Sequence, residues 1–113
     1  MKQRLLVMNG QRLLQREREG QWNIELVEKA GAIKPGVYNI HLATPPDKHK
    51  VSDGVIVHVD ETHIYQQVGK NFVRHDLKNF DIVQEIGSNS SIRYDGDRAV
   101  VTSASNKLRR GIS

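Results

Sequence analysis

Residues 54 to 76, GVIVHVDETHIYQQVGKNFVRHD, constrain the fold more than any other part of the chain. Val55, Val57 and Val59, then Ile64, Gln66 and Val68, then Val73 recur every second residue, the period of a strand and not of a helix. Asp60 to His63 supply one tight turn and Gly69-Lys70 a second, so the segment reads as a three-stranded meander. The expected register sets Val59 opposite Ile64, Val57 opposite Gln66, Val68 opposite Asn71 and Val73 opposite Gln66. That pairing gathers the aliphatic residues on one side. The other side carries Ile56, His58, Tyr65, Gln67, Phe72 and Arg74, too apolar to be simply solvated and too polar for an ordinary core. A face of this kind either binds something or is covered by the rest of the chain.

Turn signals continue on both sides of the meander. Asn9-Gly10 favours a two-residue hairpin between Gln3 to Met8 and Gln11 to Glu17. A short helix through Arg12 to Arg18 is the competing reading, because Leu, Gln, Arg and Glu are good helix formers. The consecutive apolar residues Leu5 to Met8, with Leu13 and Leu14, suggest burial on both faces or an open edge covered by another strand. Trp22 to Val27 alternates as a strand, Lys34-Pro35-Gly36 is a turn, and Val37 to Ala43 reads as a further strand. Thr44 to Ser52 is an exposed loop, Leu77 to Phe80 a helical turn, and Ser88 to Ser91 a polar, flexible stretch. Asp95-Gly96-Asp97 closes a last hairpin between Ile92 to Tyr94 and Ala99 to Thr102. Strands at such spacing, without a sustained helical period, predict a mainly β fold: a small antiparallel barrel or sandwich of SH3-like or OB-like size, with at most one short helix. One β domain is expected over residues 1 to 102, followed by a basic, disordered tail at 103 to 113.

Composition narrows the function classes. The 113 residues include no cysteine, so neither a disulfide framework nor a thiolate metal site is available. No apolar run has the length of a membrane span, and no signal peptide opens the sequence, which makes a cytoplasmic protein the expectation. The five histidines show no strong metal spacing, and His63 near Asp76 is the one possible cluster. No nucleophile elbow, phosphate loop or catalytic carboxylate pair is evident, so neither an enzyme nor a cofactor is expected. Bases outnumber acids 17 to 13, with the excess at the two chain ends. Lys2, Arg4, Arg12, Arg93, Arg98, Lys107, Arg109 and Arg110 are candidate phosphate contacts if the ends meet in one patch. His58, Tyr65, Gln67, Phe72 and Arg74 form the candidate binding face, open to a protein partner or to nucleic acid, with completion of the core as the alternative.

GVIVHVDETHIYQQVG (54 to 69), FVRHD (72 to 76), EIG (85 to 87) and SIRYDGDRAVV (91 to 101), taken together, resemble the KfrB-type domain over roughly residues 35 to 102. The shared order is a Gly-x-Ile-Val strand, a strand with paired glutamines, a Val-x-His-Asp strand, an Ile-Gly step and an Ile-Arg-Tyr-x-Gly-x-Ala hairpin. These motifs are structural in character. The resemblance implies an accessory protein of conjugative plasmids and related mobile elements, concerned with plasmid maintenance or segregation, whose partners are other plasmid-encoded proteins. The first expectation is therefore a non-enzymatic protein-binding adaptor. The alternative is a nucleic-acid-binding β-barrel using the basic ends and the aromatic face. An unpaired edge strand would also allow a homodimer.

Overall fold

A computed structural model describes residues 2 to 103. The tail expected beyond Ser103, with Lys107, Arg109 and Arg110, lies outside the described residues. The chain divides between Ala43 and Thr44 into two compact units. The mainly β expectation holds. The strands form two antiparallel sheets, neither of which closes into a barrel, and no described helix is long and apolar enough to cross a membrane.

The first unit is a four-stranded sheet built from β1 (Gln3–Met8), β2 (Gln11–Arg18), β3 (Gln21–Lys29) and β4 (Gly36–Tyr38), in the order β3-β2-β1-β4. Asn9 and Gly10 both take positive φ, 51° and 74°, the geometry a two-residue hairpin needs. The hairpin reading of residues 12 to 18 therefore prevails over the helical one. Register places Leu5, Val7, Leu14 and Tyr38 on one face, all buried. Val37, Leu6, Leu13 and Val27 form a row across the opposite face, where both valines are exposed. The consecutive apolar residues thus serve two faces of one sheet, only one of them buried. The strand expected over Val37 to Ala43 stops at Tyr38. The chain turns through a 3-10 segment at Ile40–Leu42, which buries Ile40 and brings the His41 Nδ1 to 2.9 Å from the Gln3 carbonyl.

The second unit holds β5 (Ser52–Val59), β6 (His63–Val68), β7 (Asn71–Asp76), β8 (Asn89–Asp95) and β9 (Arg98–Ser103), in the order β7-β6-β5-β8-β9. The meander is present, and Val59-Ile64, Val68-Asn71 and Gln66-Val73 pair as expected. The Asp60 carboxylate builds the first turn by accepting hydrogen bonds from the amides of Thr62 and His63, at 2.8 and 2.7 Å. Burial opposes its ionisation, yet those bonds hold the carboxyl below its ordinary range.

One pairing departs from expectation. Gln66 lies opposite Ile56, not Val57, because β5 carries a bulge between Ile56 and His58. The extra residue exchanges the faces of the strand, so Ile56 joins Ile64, Ile92 and Ala99 in a fully buried cluster. Ile56 thus leaves the mixed face to which strict alternation would assign it. Leu77–Asn79 is the expected helical turn. Ser90 and Ser91, expected in a flexible stretch, are instead buried in β8, opposite Gly54 and Asp53 of β5.

Gly54, the third residue of β5, sits where no side chain fits. A Cβ built there would lie 1.7 Å from the Gln67 carbonyl oxygen, a backbone atom that cannot rotate away. Gly54→Ala should therefore destabilise by at least about 3 kcal/mol or prevent folding. Gly96→Ala, at φ 63° with open space around it, should cost only about 1 kcal/mol. Thermal unfolding of the two variants checks the contrast, and equal losses would refute it.

Candidate functional site

The meander brings the candidate face together as anticipated. His58 lies opposite Tyr65, Tyr65 opposite Arg74, and Gln67 opposite Phe72. Exposure is the missing property. His58 is 3% exposed and Tyr65 5%, their rings 5.9 Å apart, while Gln67, Phe72 and Arg74 are half-buried. The Phe72 carbonyl and the Arg74 amide are also engaged, bonding to Thr44 at 3.0 and 2.8 Å. The surroundings of His58 and Tyr65 are those of core residues.

The basic candidates divide between the two units. Arg12 is buried and ion-paired with Glu28, and Arg98 is ion-paired with Asp81. Arg4 stacks 4.0 Å over the Trp22 ring and donates to Gln15 Oε1 at 2.7 Å. Lys2 and Arg93 are exposed, one in each unit. Phosphate would therefore have to compete with carboxylates for Arg12 and Arg98. His63 and Asp76 do meet, Nε2 to Oδ1 at 3.3 Å, with Thr62 Oγ1 2.8 Å from His63 Nδ1. Among the described residues no group of three His, Asp or Glu could hold a metal ion.

A chain of buried polar groups on the core face of the second sheet escaped the sequence reading. Gln66 Nε2 lies 2.9, 3.1 and 3.2 Å from the carbonyls of Ser90, Ser52 and Gly54. Carbonyls only accept, so they fix the amide with its nitrogen toward the backbone and Oε1 toward His75. His75 Nε2 must then carry the proton and donate to Gln66 Oε1 at 2.9 Å. Its Nδ1 is consequently an acceptor, and the Tyr94 hydroxyl donates to it at 2.7 Å. Phe80 packs edge-on to His75, and the Tyr94 ring stacks against it. Burial lowers the His75 pKa to about 4, against a smaller opposing effect of the Asp76 charge. Burial and the same charge push Tyr94 up to about 12. The available signal was Gln66 on an otherwise aliphatic face, together with His75, which the meander register sets opposite Ile64 on that same face.

The second unit also has a groove of about 310 Å³ along β9, walled by Phe80 and Ile82 on one side and Ala99 and Val101 on the other. The Asp81–Arg98 ion pair bridges its two walls. Ile82 is 75% exposed and Val83 is exposed beside it. β9 ends its sheet, so its outer edge has no strand partner among the described residues.

These strands, turns and buried groups fall within one recognisable unit of sequence. Residues 51–103 match the KfrB Domain family. No protein of curated function matches the chain. The KfrB segment holds all five strands of the second sheet, and the match begins later than the resemblance read from residue 35. Among the residues that carry the resemblance, Gln66 of the glutamine pair, His75 of Val-x-His-Asp and Tyr94 of the last hairpin form the buried chain, and Gly54 sits at the close approach. In the Ile-Gly step, the Gly87 amide donates to the Ile56 carbonyl at 2.7 Å. The KfrB domain points to a plasmid-associated protein.

The sign of the pH dependence follows from His75. Its folded pKa, about 4, lies below the ordinary 6.5, so the unfolded chain binds more protons between those values. Stability is full above pH 6.5 and falls as pH drops toward 4, by about 3 kcal/mol over the window. Chemical denaturation across this range checks the slope, and His75→Phe should flatten it even if that variant is less stable overall. A wild-type slope absent from the window would contradict the assigned protonation.

Proposed function

We propose that this chain is a non-enzymatic accessory protein of a conjugative plasmid or mobile element, acting in the cytoplasm as a protein-binding adaptor in plasmid maintenance or segregation. The observation that carries this reading is the groove beside β9. It combines an unpaired strand edge, apolar walls and the exposed Ile82 and Val83 within the KfrB segment. Apolar side chains at an open sheet edge suit an extended partner, which gains main-chain hydrogen bonds from the edge and selectivity from the pocket. The inert polar chain beneath supports a binding role, since its groups hold one another and face no open site. Burial of Tyr65 weakens the nucleic-acid alternative, which needs that ring for stacking.

A plasmid-loss assay tests the proposal. Ile82→Asp should raise plasmid loss as far as deletion of the gene does, while the purified variant keeps the wild-type Tm within a few degrees. Titration of the wild type with labelled single- and double-stranded DNA should show no salt-sensitive binding. Tight binding at low salt that weakens steeply with ionic strength and is reduced by Arg93→Ala would favour the nucleic-acid alternative. Unchanged plasmid retention on deletion would reject the maintenance role.

A further inference from the structure

Four strands end the two sheets, and their edges differ in length and surroundings. β4 has three residues, β7 takes Thr44 along its side, and β9 borders the groove. β3 is different. It is nine residues long, every residue except Trp22 is exposed, and its outer edge has no strand partner among the described residues. An edge of this length is a template for another strand. Its side chains show which strand fits.

β3 carries a bulge at Glu25, since Leu14 pairs with Leu26 and the next residue, Gln15, with Ile24. The bulge switches the alternation midway. Trp22, Ile24, Val27 and Lys29 consequently share one face, and Asn23, Leu26 and Glu28 the other. An antiparallel copy of β3 related by a twofold axis between Glu25 and Leu26 matches this arrangement throughout. Lys29 then lies opposite Trp22, Val27 opposite Ile24 and Glu28 opposite Asn23, each pair on a common face. Both strands carry the same extra residue over the same stretch, so the ladder stays in step. Charge and face matching exclude two neighbouring registers. A twofold axis at Glu25 would oppose two carboxylates and mismatch the faces of Ile24 and Leu26, and a shift of two positions toward Lys29 would set Glu25 against Glu28.

We infer that β3 is a homodimerisation edge, pairing with β3 of a second copy in the register that sets Ile24 opposite Val27. The contact is isologous, and the two four-stranded sheets become one of eight. Ile24 and Val27, 58% and 51% exposed in the single chain, cover each other across the axis. Lys29 approaches the Trp22 ring, on which Arg4 already stacks.

The cysteine-free chain allows a direct test. Directly opposed residues of an antiparallel pair have Cα atoms about 4.5 to 5.5 Å apart, within disulfide range. Under mild oxidation, an equimolar mixture of Ile24→Cys and Val27→Cys chains should cross-link in clear excess over either variant alone. Sedimentation of the wild type should show a shift from one chain mass to two with rising concentration. Ile24→Lys should abolish that shift while leaving the circular dichroism spectrum intact, and Val37→Lys, on the far edge of the same sheet, should preserve it. A single-chain mass at all concentrations, equal cross-linking in all combinations, or loss of the dimer in Val37→Lys would each overturn the inference.

Discussion

The second sheet depends on the confinement of the Gln66 amide by three backbone carbonyls. Ser52 and Gly54 belong to β5 and Ser90 to β8, so one side-chain nitrogen ties two strands to β6. Its orientation dictates the state of every group beyond it. A reversed amide would set its oxygen against three acceptors, and a protonated His75 would bury a charge, with the Tyr94 hydroxyl turned from donor to acceptor. The neutral arrangement has one satisfied state. Buried polar networks stabilise a fold only when complete, because each unpaired group retains its desolvation cost of about 1 to 3 kcal/mol. Gly54 belongs to the same construction: without a Cβ it lets β6 approach closely enough for Gln66 to reach the Ser52 and Gly54 carbonyls.

This dependence also shows which parts of the structure were legible in the sequence. Strand and turn positions were, since alternation in Val55 to Val59 and the Asn-Gly and Asp-Gly turns are local signals. The three-residue β4 was not, because burial of Ile40 is a tertiary gain that local pattern does not report. The bulge at Val57 was hidden for a related reason. Two adjacent aliphatic residues, Ile56 and Val57, satisfy either alternation equally well, and the choice falls to packing against Ile64 and Ile92. Ser90 and Ser91 looked like linker composition, but the strand buries both and uses the Ser90 carbonyl.

The candidate face was legible as a set of neighbours and not as a surface. His58, Tyr65, Gln67, Phe72 and Arg74 do share a face, because register follows from turns. Their burial does not follow from register, since mixed polarity is compatible with an interface and with a core that satisfies its polar groups. The groove at β9 was invisible for the opposite reason. Ile82 and Val83 are ordinary apolar residues in an irregular segment, and only their exposure beside an unpaired edge distinguishes them.

Edge pairing and groove binding are separate proposals, yet the first changes what the second can achieve. The groove beside β9 has a volume of about 310 Å³, small beside a standard protein interface and suited to a few residues of partner. A single contact of that size supports weak, rapidly reversed association. A β3-paired dimer presents two such grooves on one particle. For a partner with two matching segments, or one that is itself repeated or oligomeric, the second contact forms at the effective concentration set by the linkage, in the millimolar range for short flexible connections. Avidity then follows without any further contact surface. A short apolar groove is thus sufficient for an adaptor that works as a pair, and an adaptor built this way distinguishes an assembled partner from its free subunits more sharply than a single tight site would.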